Sequence, residues 1–170
     1  ETALAEAEIE YKDDKSFSIY VKFKSVDLNC HMPKGADPDK VFALIWTTTP
    51  WTIPCNVAIS ANENFEYVWV RIGDEYLLMA KDLVEPTMTG KQLEGLVFKH
   101  PFYDRKVPII LGDHVTLEAG TGLVHTAPDH GQDDFDVCKK YAAWGLKPLG
   151  TVDGTGRYTD KVPGFEGQFV

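Results

Sequence analysis

One aspartate near a predicted helix differs from its neighbours. Residues 132–144 show helical spacing, and Gly145 stands where a C-terminal cap is expected. On this helix Asp134 lies among the apolar positions, whereas Asp133 and Asp136 fall on the polar face. Because burying an unpaired charge is costly, an inward carboxylate needs a partner. Asp134 therefore either complements the N-terminus of the helix or binds a ligand.

The segment that leads into this helix, GTGLVHTAPDHGQDD at residues 120–134, carries two histidines. A glycine turn opens a predicted strand that places His125 on the same face as Leu123 and Ala127. A single histidine on such a face is more often structural than catalytic. Gly131, after the second histidine, permits close approach of a ligand to the backbone. By itself the segment lacks the spacing of a dinucleotide-binding or phosphate-binding glycine loop.

Another segment, WTTTPWTIPCN at residues 46–56, follows an apolar run of strand length. Pro50 has no N–H and cannot continue a central ladder, so the strand at residues 41–46 should end there. The three threonine hydroxyls before it would then face a cavity and suit a neutral ligand such as a ribose or an ester. Threonine is also simply a good strand residue, which is the favoured interpretation for these residues alone. Trp46 and Trp51 could stack on a base, although tryptophan is commoner in a core.

Several kinds of site find no support in the residues. The chain has no CxxC pair, no HExxH and no GxSxG, and Cys30-His31 is a single adjacent pair in a polar loop. We therefore predict no metal, no cofactor and no Ser-His-Asp triad. An odd number of cysteines, no signal peptide and no run near the roughly 20 apolar residues of a membrane helix favour a cytoplasmic protein without membrane contact.

The composition indicates one domain, residues 1–170, with an acidic surface. Of its 170 residues 44% are apolar, and the formal charge is −9. A protein that grips a duplex by its phosphates normally carries a basic face, so any RNA substrate should be touched only at a short single-stranded end. A first residue other than methionine leads us to expect a domain cut from a larger protein.

Most other segments are predicted as short strands separated by Gly, Pro or Asp. The strands cover residues 17–24, 41–46, 65–72, 75–79, 96–99, 107–111, 114–117, 121–126 and 151–159, with turns at Gly73-Asp74 and Asp153-Gly154. The strand at 41–46 is expected to be buried on both sides, and residues 81–88 are a candidate short helix. This pattern predicts a mainly β barrel or sandwich with peripheral α-helices.

Taken together, residues 46–56 and 120–134 resemble the paired motifs of the editing domain of isoleucyl-tRNA synthetases. Residues 1–11 and 111–114 also match that family, so the similarity runs along nearly the whole chain. The related valyl and leucyl domains carry Arg where this chain has Thr49, and they lack His-Thr-Ala-Pro at the position of residues 125–128. The resemblance implies a distorted closed β-barrel with peripheral α-helices, inserted in a larger synthetase.

The resemblance also implies the reaction. Isoleucyl-tRNA synthetase, the standard example of this problem, cannot exclude valine well because a missing methylene is worth only about 1–3 kcal/mol. A second pocket would therefore hydrolyse the ester between valine and the 3′-terminal adenosine of tRNA(Ile) and reject isoleucine by size. Valyl-adenylate is a second candidate substrate. The implied partners are this aminoacyl-adenosine end, its valine moiety and the rest of the parent synthetase.

The resemblance also implies roles for individual residues, through their positions in the two motifs. These residues are Trp46, Thr47, Thr48, Thr49, Asn56, His125 and Asp134. Asp134 would bind the α-ammonium, and His125 would line the side-chain pocket and help position the ester. The threonines would contact the ribose, ester and side chain, the tryptophan would form the adenosine-side wall, and the asparagine would orient the substrate. The implied catalytic set is His125, Asp134, Thr48 and Thr49. No protein general base is evident, so the vicinal ribose hydroxyl is a candidate to assist the attacking water.

Two other functions stay open. The chain could be a valyl or leucyl editing domain, or a module that binds aminoacyl-adenosine ends without hydrolysing them. The HIGH and KMSKS signatures of amino-acid activation are absent, so no activation is expected. Asp129 stands where many relatives have Gly and would alter the charge near the pocket mouth. Cys55 replaces a common Ala, and residues 86–96 look shortened.

Overall fold

The computed structural model describes residues 17–28, 31–81, 88–118 and 120–170. Its strands are β1 (Ile19–Asp27), β2 (Val41–Thr47), β3 (Ala58–Ala61), β4 (Glu66–Ile72), β5 (Glu75–Ala80), β6 (Met88–Thr89), β7 (Val97–Lys99), β8 (Lys106–Leu111) and β9 (Leu123–Thr126). The α-helices are α1 (Gly90–Leu93) and α2 (Gln132–Lys140), and 3₁₀ helices cover Pro38–Lys40, Pro50–Cys55 and Ala142–Trp144. No helix in these segments is long and apolar enough to cross a membrane.

The strands form one mixed sheet in the order β6-β4-β5-β2-β1-β7-β8-β3-β9. β2 pairs with β5 and β3 with β8 in parallel, and the other ladders are antiparallel. The predicted mainly β fold is confirmed, but the predicted closure is wrong because the sheet keeps β6 and β9 as its two edges. β6 is only two residues long, and the segment before β9 meets the end of β5 through a backbone bond from Ala80 N to Thr121 O (2.6 Å) rather than a ladder.

Strand β2 lies in the middle of this sheet and carries much of the core. Its buried and half-buried residues alternate, as a period of two requires. The buried face packs in the main core with side chains such as Phe23 and Leu78. Phe42, Leu44 and Trp46 on the other face are only half-buried, so the expectation of burial on both sides is wrong. Trp46, one of the candidate site residues, lies on this half-buried face.

Several predicted strands and one turn are confirmed with small shifts of boundary. Ile72 pairs with Glu75 across the two-residue turn Gly73-Asp74, and Gly73 has a φ of 64°. The strand expected at residues 114–117 is wrong, since Val115 N bonds back to Gly112 O and the chain turns after β8. Residues 82–87 of the candidate helix at 81–88 lie outside the described residues.

Helix α2 begins where the sequence predicts but is shorter as an α-helix. It ends at Lys140, and a 3₁₀ turn continues to Trp144, where Gly145 caps it at a φ of 82°. Val137 and Cys138 are buried in a small core with residues of β3 and β8. Phe135, near the start of the helix, is 40% exposed, because only the middle of the helix reaches this core.

Candidate functional site

The glycine turn at residues 120–122 brings the two motif segments together. The Thr121 hydroxyl donates to Leu44 O on β2 (2.5 Å). Gly120 lies against the ring of Trp46, where an added Cβ would come within 3.2 Å of an indole carbon. Gly122 approaches β5 so closely that a Cβ would lie 2.2 Å from the Cβ of Ala80. Because both glycines have positive φ, other residues would be strained there as well as crowded.

Three threonines of the first segment form a connected group of hydroxyls. Thr47 Oγ1 accepts a hydrogen bond from Thr49 N (3.1 Å) and lies 3.2 Å from Thr49 Oγ1. Thr49 Oγ1 in turn lies 3.4 Å from Thr52 Oγ1. The strand stops at this point, as predicted, and the 3₁₀ helix Pro50–Cys55 begins. Thr47 and Thr52 are buried, whereas Thr48 and Thr49 are exposed, so the hydroxyls run from the core to the surface.

His125 lies at the buried end of this group. Its Nε2 is 2.9 Å from Thr52 Oγ1, and the side chain is 7% exposed. The strand β9 that carries it pairs with β3, where His125 is opposite Ile59. Its Nδ1 is buried and has no hydrogen-bond partner among the described residues. Burial, as the largest cause, and the nearby His130 and His100 together lower the pKa of His125 to about 4, so the ring is neutral at pH 7.

Asp134 is tied to the same strand from the helix side. Its Oδ2 accepts a hydrogen bond from Ala127 N (2.8 Å), two residues beyond His125. Burial raises the pKa of the carboxyl above its usual range, and the Ala127 N–H partly offsets this rise. Gly131 leaves room beside it, because a Cβ there would lie 3.3 Å from Asp134 Oδ2. The carboxylate that helix phase predicts to face inward is half-buried, and one described backbone donor, Ala127 N–H, holds it.

Asn56 occupies a more interior position than the other candidates. It is fully buried, and its Nδ2 donates to Ala58 O (2.7 Å). This bond fixes the amide orientation, because the reversed amide would face two oxygens toward each other. Its Oδ1 has no partner in the described part of the chain, and its backbone oxygen accepts from the Arg105 guanidinium.

The structure therefore brings most of the predicted residues together. Thr47 and Thr49 belong to the cluster of hydroxyls that His125 contacts through Thr52. Asp134 is bound to Ala127, which directly follows the strand of the histidine. Trp46 is half-buried one residue before Thr47 and packs on the glycine turn. Asn56 belongs to the interior behind them rather than to their exposed side.

Thr52 was given no role in the sequence analysis, although a signal for it existed. Pro50 at the start of a helical turn favours a 3₁₀ or α start, and three-residue spacing then places Thr49 and Thr52 on one side. The hydroxyl of Thr52 donates to Thr49 O (2.8 Å) as well as meeting the histidine.

Asp129 also has a use that the sequence did not reveal. Its carboxylate accepts hydrogen bonds from the backbone N–H of Leu149 (3.0 Å) and Gly150 (3.2 Å) and from the Thr151 hydroxyl (2.8 Å). The side chain thus holds the second motif to the loop that follows α2. The same motif is held to the first one by His130, whose Nε2 lies 2.9 Å from Cys55 Sγ.

Surface cavities lie beside and away from this site. One of about 380 Å³ is lined by residues 128–132 and Phe135, at the start of α2. A larger one of about 560 Å³ is lined by residues including Arg105, Trp144 and Leu146. None of the seven predicted site residues lines either cavity. Among the described residues no group of three His, Cys, Asp or Glu side chains is placed to hold a metal ion.

Comparison with known proteins agrees with the motif pair. Residues 78–154 match the family model described as the editing domain of leucyl-tRNA synthetase. Isoleucine–tRNA ligases from Caldanaerobacter subterraneus and Brevibacillus brevis are 48% and 49% identical, each over 99% of this chain. The chain belongs to the editing-domain family of the aminoacyl-tRNA synthetases. This editing domain spans only 19% of the length of either ligase.

Solved structures support the same fold. The CP1 domain of GlLeuRS superimposes with a TM-score of 0.62 at 16% sequence identity, covering 84% of this chain and 74% of that one. At this identity the likeness concerns the fold alone. The identity along the whole chain to isoleucine–tRNA ligases, rather than this superposition, is what favours the isoleucyl branch for the editing domain.

Proposed function

We propose that this editing domain hydrolyses the ester of valine misattached to the 3′-terminal adenosine of tRNA(Ile) and rejects isoleucine by size. The observation that carries the proposal is the carboxylate of Asp134, which is desolvated and has a single described hydrogen bond, from Ala127 N. A desolvated carboxylate with unused acceptor positions is a strong partner for an ammonium group. An aminoacyl ester carries such a group next to the bond that is cleaved.

The other contacts follow from the positions of the first motif. Thr48 and Thr49 are exposed at the end of β2 and can hydrogen-bond to the ribose and the ester. His125 lies behind them as a rigid, neutral wall for the amino-acid side chain. A wall of fixed position can exclude the extra methylene of isoleucine, which a flexible surface could not. Trp46 would then border the adenosine.

The chemical step needs an oriented water and hydrogen-bond donors for the developing oxyanion. A histidine with a pKa of about 4 is a weak base at pH 7, and Asp134 is occupied by the ammonium. We therefore assign proton transfer to the vicinal hydroxyl of the ribose and orientation to the threonine hydroxyls. The proposal requires no metal or cofactor.

The central role of Asp134 is tested with Asp134→Asn. The asparagine oxygen can still accept from Ala127 N–H, so the fold keeps its contact while the charge is lost. We expect deacylation of valyl-tRNA(Ile) to fall by about tenfold to a hundredfold, since hydrogen bonds to charged groups contribute about 1.5–3 kcal/mol. The free energy of unfolding at pH 7 should stay equal or rise, because an ionised carboxylate whose pKa is raised by burial destabilises the folded state.

Asp133→Asn is the matched control, as this neighbour on the same helix is exposed. It should leave deacylation unchanged. A folded Asp134→Asn protein that deacylates at the unaltered rate would refute the assignment of the ammonium site.

The two alternatives have different outcomes. A valyl editing domain would deacylate threonyl-tRNA(Val) faster than valyl-tRNA(Ile). A module without catalysis would bind a non-hydrolysable valyl-adenosine analogue but turn over neither ester.

A further inference from the structure

The contact between Thr52 and His125 bears on which nitrogen of the histidine ring carries the proton. Thr52 Oγ1 lies 2.8 Å from Thr49 O and 2.9 Å from His125 Nε2. A hydroxyl has one proton to donate, so it can donate to only one of these two acceptors. If it donates to Thr49 O, its contact with His125 is a hydrogen bond only when His125 Nε2 carries a proton and donates to the Thr52 oxygen.

Of the two neutral tautomers of His125, the one with the proton on Nε2 satisfies more of the hydrogen-bonding groups. If His125 carries its proton on Nε2, it donates to Thr52, and Thr52 donates to Thr49 O, so both contacts are hydrogen bonds. The buried Nδ1 is then left with an unused lone pair. If the proton were on Nδ1, a buried N–H would lack a partner among the described residues, and orphaned N–H groups are rarer in proteins than under-used acceptors.

We propose that Thr52 is a positioning residue that holds His125 as the Nε2–H tautomer and fixes the plane of its ring. The chain of donors, from His125 to Thr52 to Thr49 O, ties the wall of the side-chain pocket to the first turn of the 3₁₀ helix. The consequence for substrate choice rests on the proposed function: the fixed ring sets how large a side chain the pocket accepts. Thr52 itself need not touch the substrate.

The test uses Thr52→Val, which removes the hydroxyl but keeps the shape, and Thr52→Ser, which keeps the hydroxyl. The nitrogen that carries the proton is read by ¹⁵N NMR of the histidine rings, with the His125 signals identified by their loss in His125→Ala. In the unaltered chain we expect the proton on Nε2. Thr52→Val should give a mixture of tautomers, and Thr52→Ser should restore the Nε2–H form.

Deacylation provides the second measurement. Loss of one hydrogen bond should raise the rate for isoleucyl-tRNA(Ile) relative to valyl-tRNA(Ile) by about two- to tenfold in Thr52→Val, with Thr52→Ser near the unaltered ratio. Thr126→Val is the matched control. It also removes a buried threonine hydroxyl, but this hydroxyl is next to His125 in the chain and bonds to Ser60 rather than to the histidine ring. It should change neither the tautomer nor the ratio.

The outcomes separate this inference from the function on which it rests. A proton on Nδ1 in the unaltered chain, or an unchanged tautomer in Thr52→Val, overturns the proposal. A changed tautomer with an unchanged ratio of rates overturns the role in substrate choice. If the unaltered chain deacylates neither ester, the proposed function fails, while the NMR measurement still decides the role of Thr52 in holding the ring.

Discussion

His125 combines burial, a fixed hydrogen bond and neutrality in a single side chain. Its pKa of about 4 arises chiefly from burial, which disfavours the charged ring. The strand pattern alone indicates only a histidine on an apolar face, for which a structural role is favoured, and its expected place in the site comes from the family resemblance. Its threonine partner lies 73 positions away in the chain, which no local pattern reveals.

The lowered pKa of His125 predicts a pH dependence of stability. As the pH falls below about 6.5 the unfolded chain takes up a proton at this residue, whereas the folded protein does so only near pH 4. The unfolding free energy should therefore fall as the pH decreases from 6.5 towards 4. Between pH 7 and pH 5 the contribution is roughly 1–2 kcal/mol, at about 1.4 kcal/mol per pH unit.

Urea unfolding of the unaltered chain and of His125→Gln at the two pH values measures this contribution. The unaltered chain should lose more stability than the variant on acidification. Part of the loss should remain in the variant, because burial also lowers the pKa of His100 to about 4. Equal losses in both proteins would contradict the buried, neutral histidine.

At the scale of elements, the site depends on how short segments meet rather than on any one strand. The end of β2, the 3₁₀ helix Pro50–Cys55, the glycine turn and the start of α2 converge through side-chain bonds to backbone atoms. Sequence patterns were sufficient to locate β2, the β4–β5 hairpin and the start of α2, but the uniformly apolar residues of β2 did not reveal that one of its faces is only half-buried. The same patterns failed for β3 (Ala58–Ala61), whose four residues are all buried and show no alternation.

Closure of the sheet was also beyond the sequence pattern. Whether the two edge strands pair depends on the distance between β6 and β9, which are far apart in the chain. The candidate site residues come from their motifs, whereas the contacts of Thr52 with Thr49 O and His125 and those of Asp129 with the loop at residues 149–151 depend on how the fold places these segments.

Asp129 can be substituted to test whether its hydrogen bonds hold the second motif to the loop at residues 149–151. Asp129→Ala removes the acceptor for the N–H groups of Leu149 and Gly150 and for the Thr151 hydroxyl, and Thr151 is fully buried. We expect the unfolding free energy to fall by about 1–3 kcal/mol, the usual cost of leaving buried donors without a partner. Asp129→Asn should lose less, because an amide oxygen can still accept.

Asp160→Ala is the control in the same denaturation experiment, because its carboxylate is exposed and pairs only loosely with Lys161 at 3.7 Å. It should change the unfolding free energy by less than about 0.5 kcal/mol. A loss for Asp129→Ala no larger than that of this control would show that the carboxylate does not hold the two loops together.

For the whole molecule, charge and size limit what the editing domain can bind. With a formal charge of −9 it lacks the excess of basic residues that duplex binding requires, so contact should be confined to the aminoacyl end of a tRNA. The isoleucine–tRNA ligases that it resembles are about five times as long. The proposed pocket for an ammonium group and a short side chain needs contact with that end alone.

The central claim is that this pocket hydrolyses a valyl ester and spares the isoleucyl ester. It is tested most directly by incubating the chain with valyl-tRNA(Ile) and isoleucyl-tRNA(Ile) and measuring the rate of release of each amino acid. One methylene at a rigid wall predicts that valine is released faster by about 10- to 200-fold. Equal rates, or faster release of isoleucine, would contradict the account.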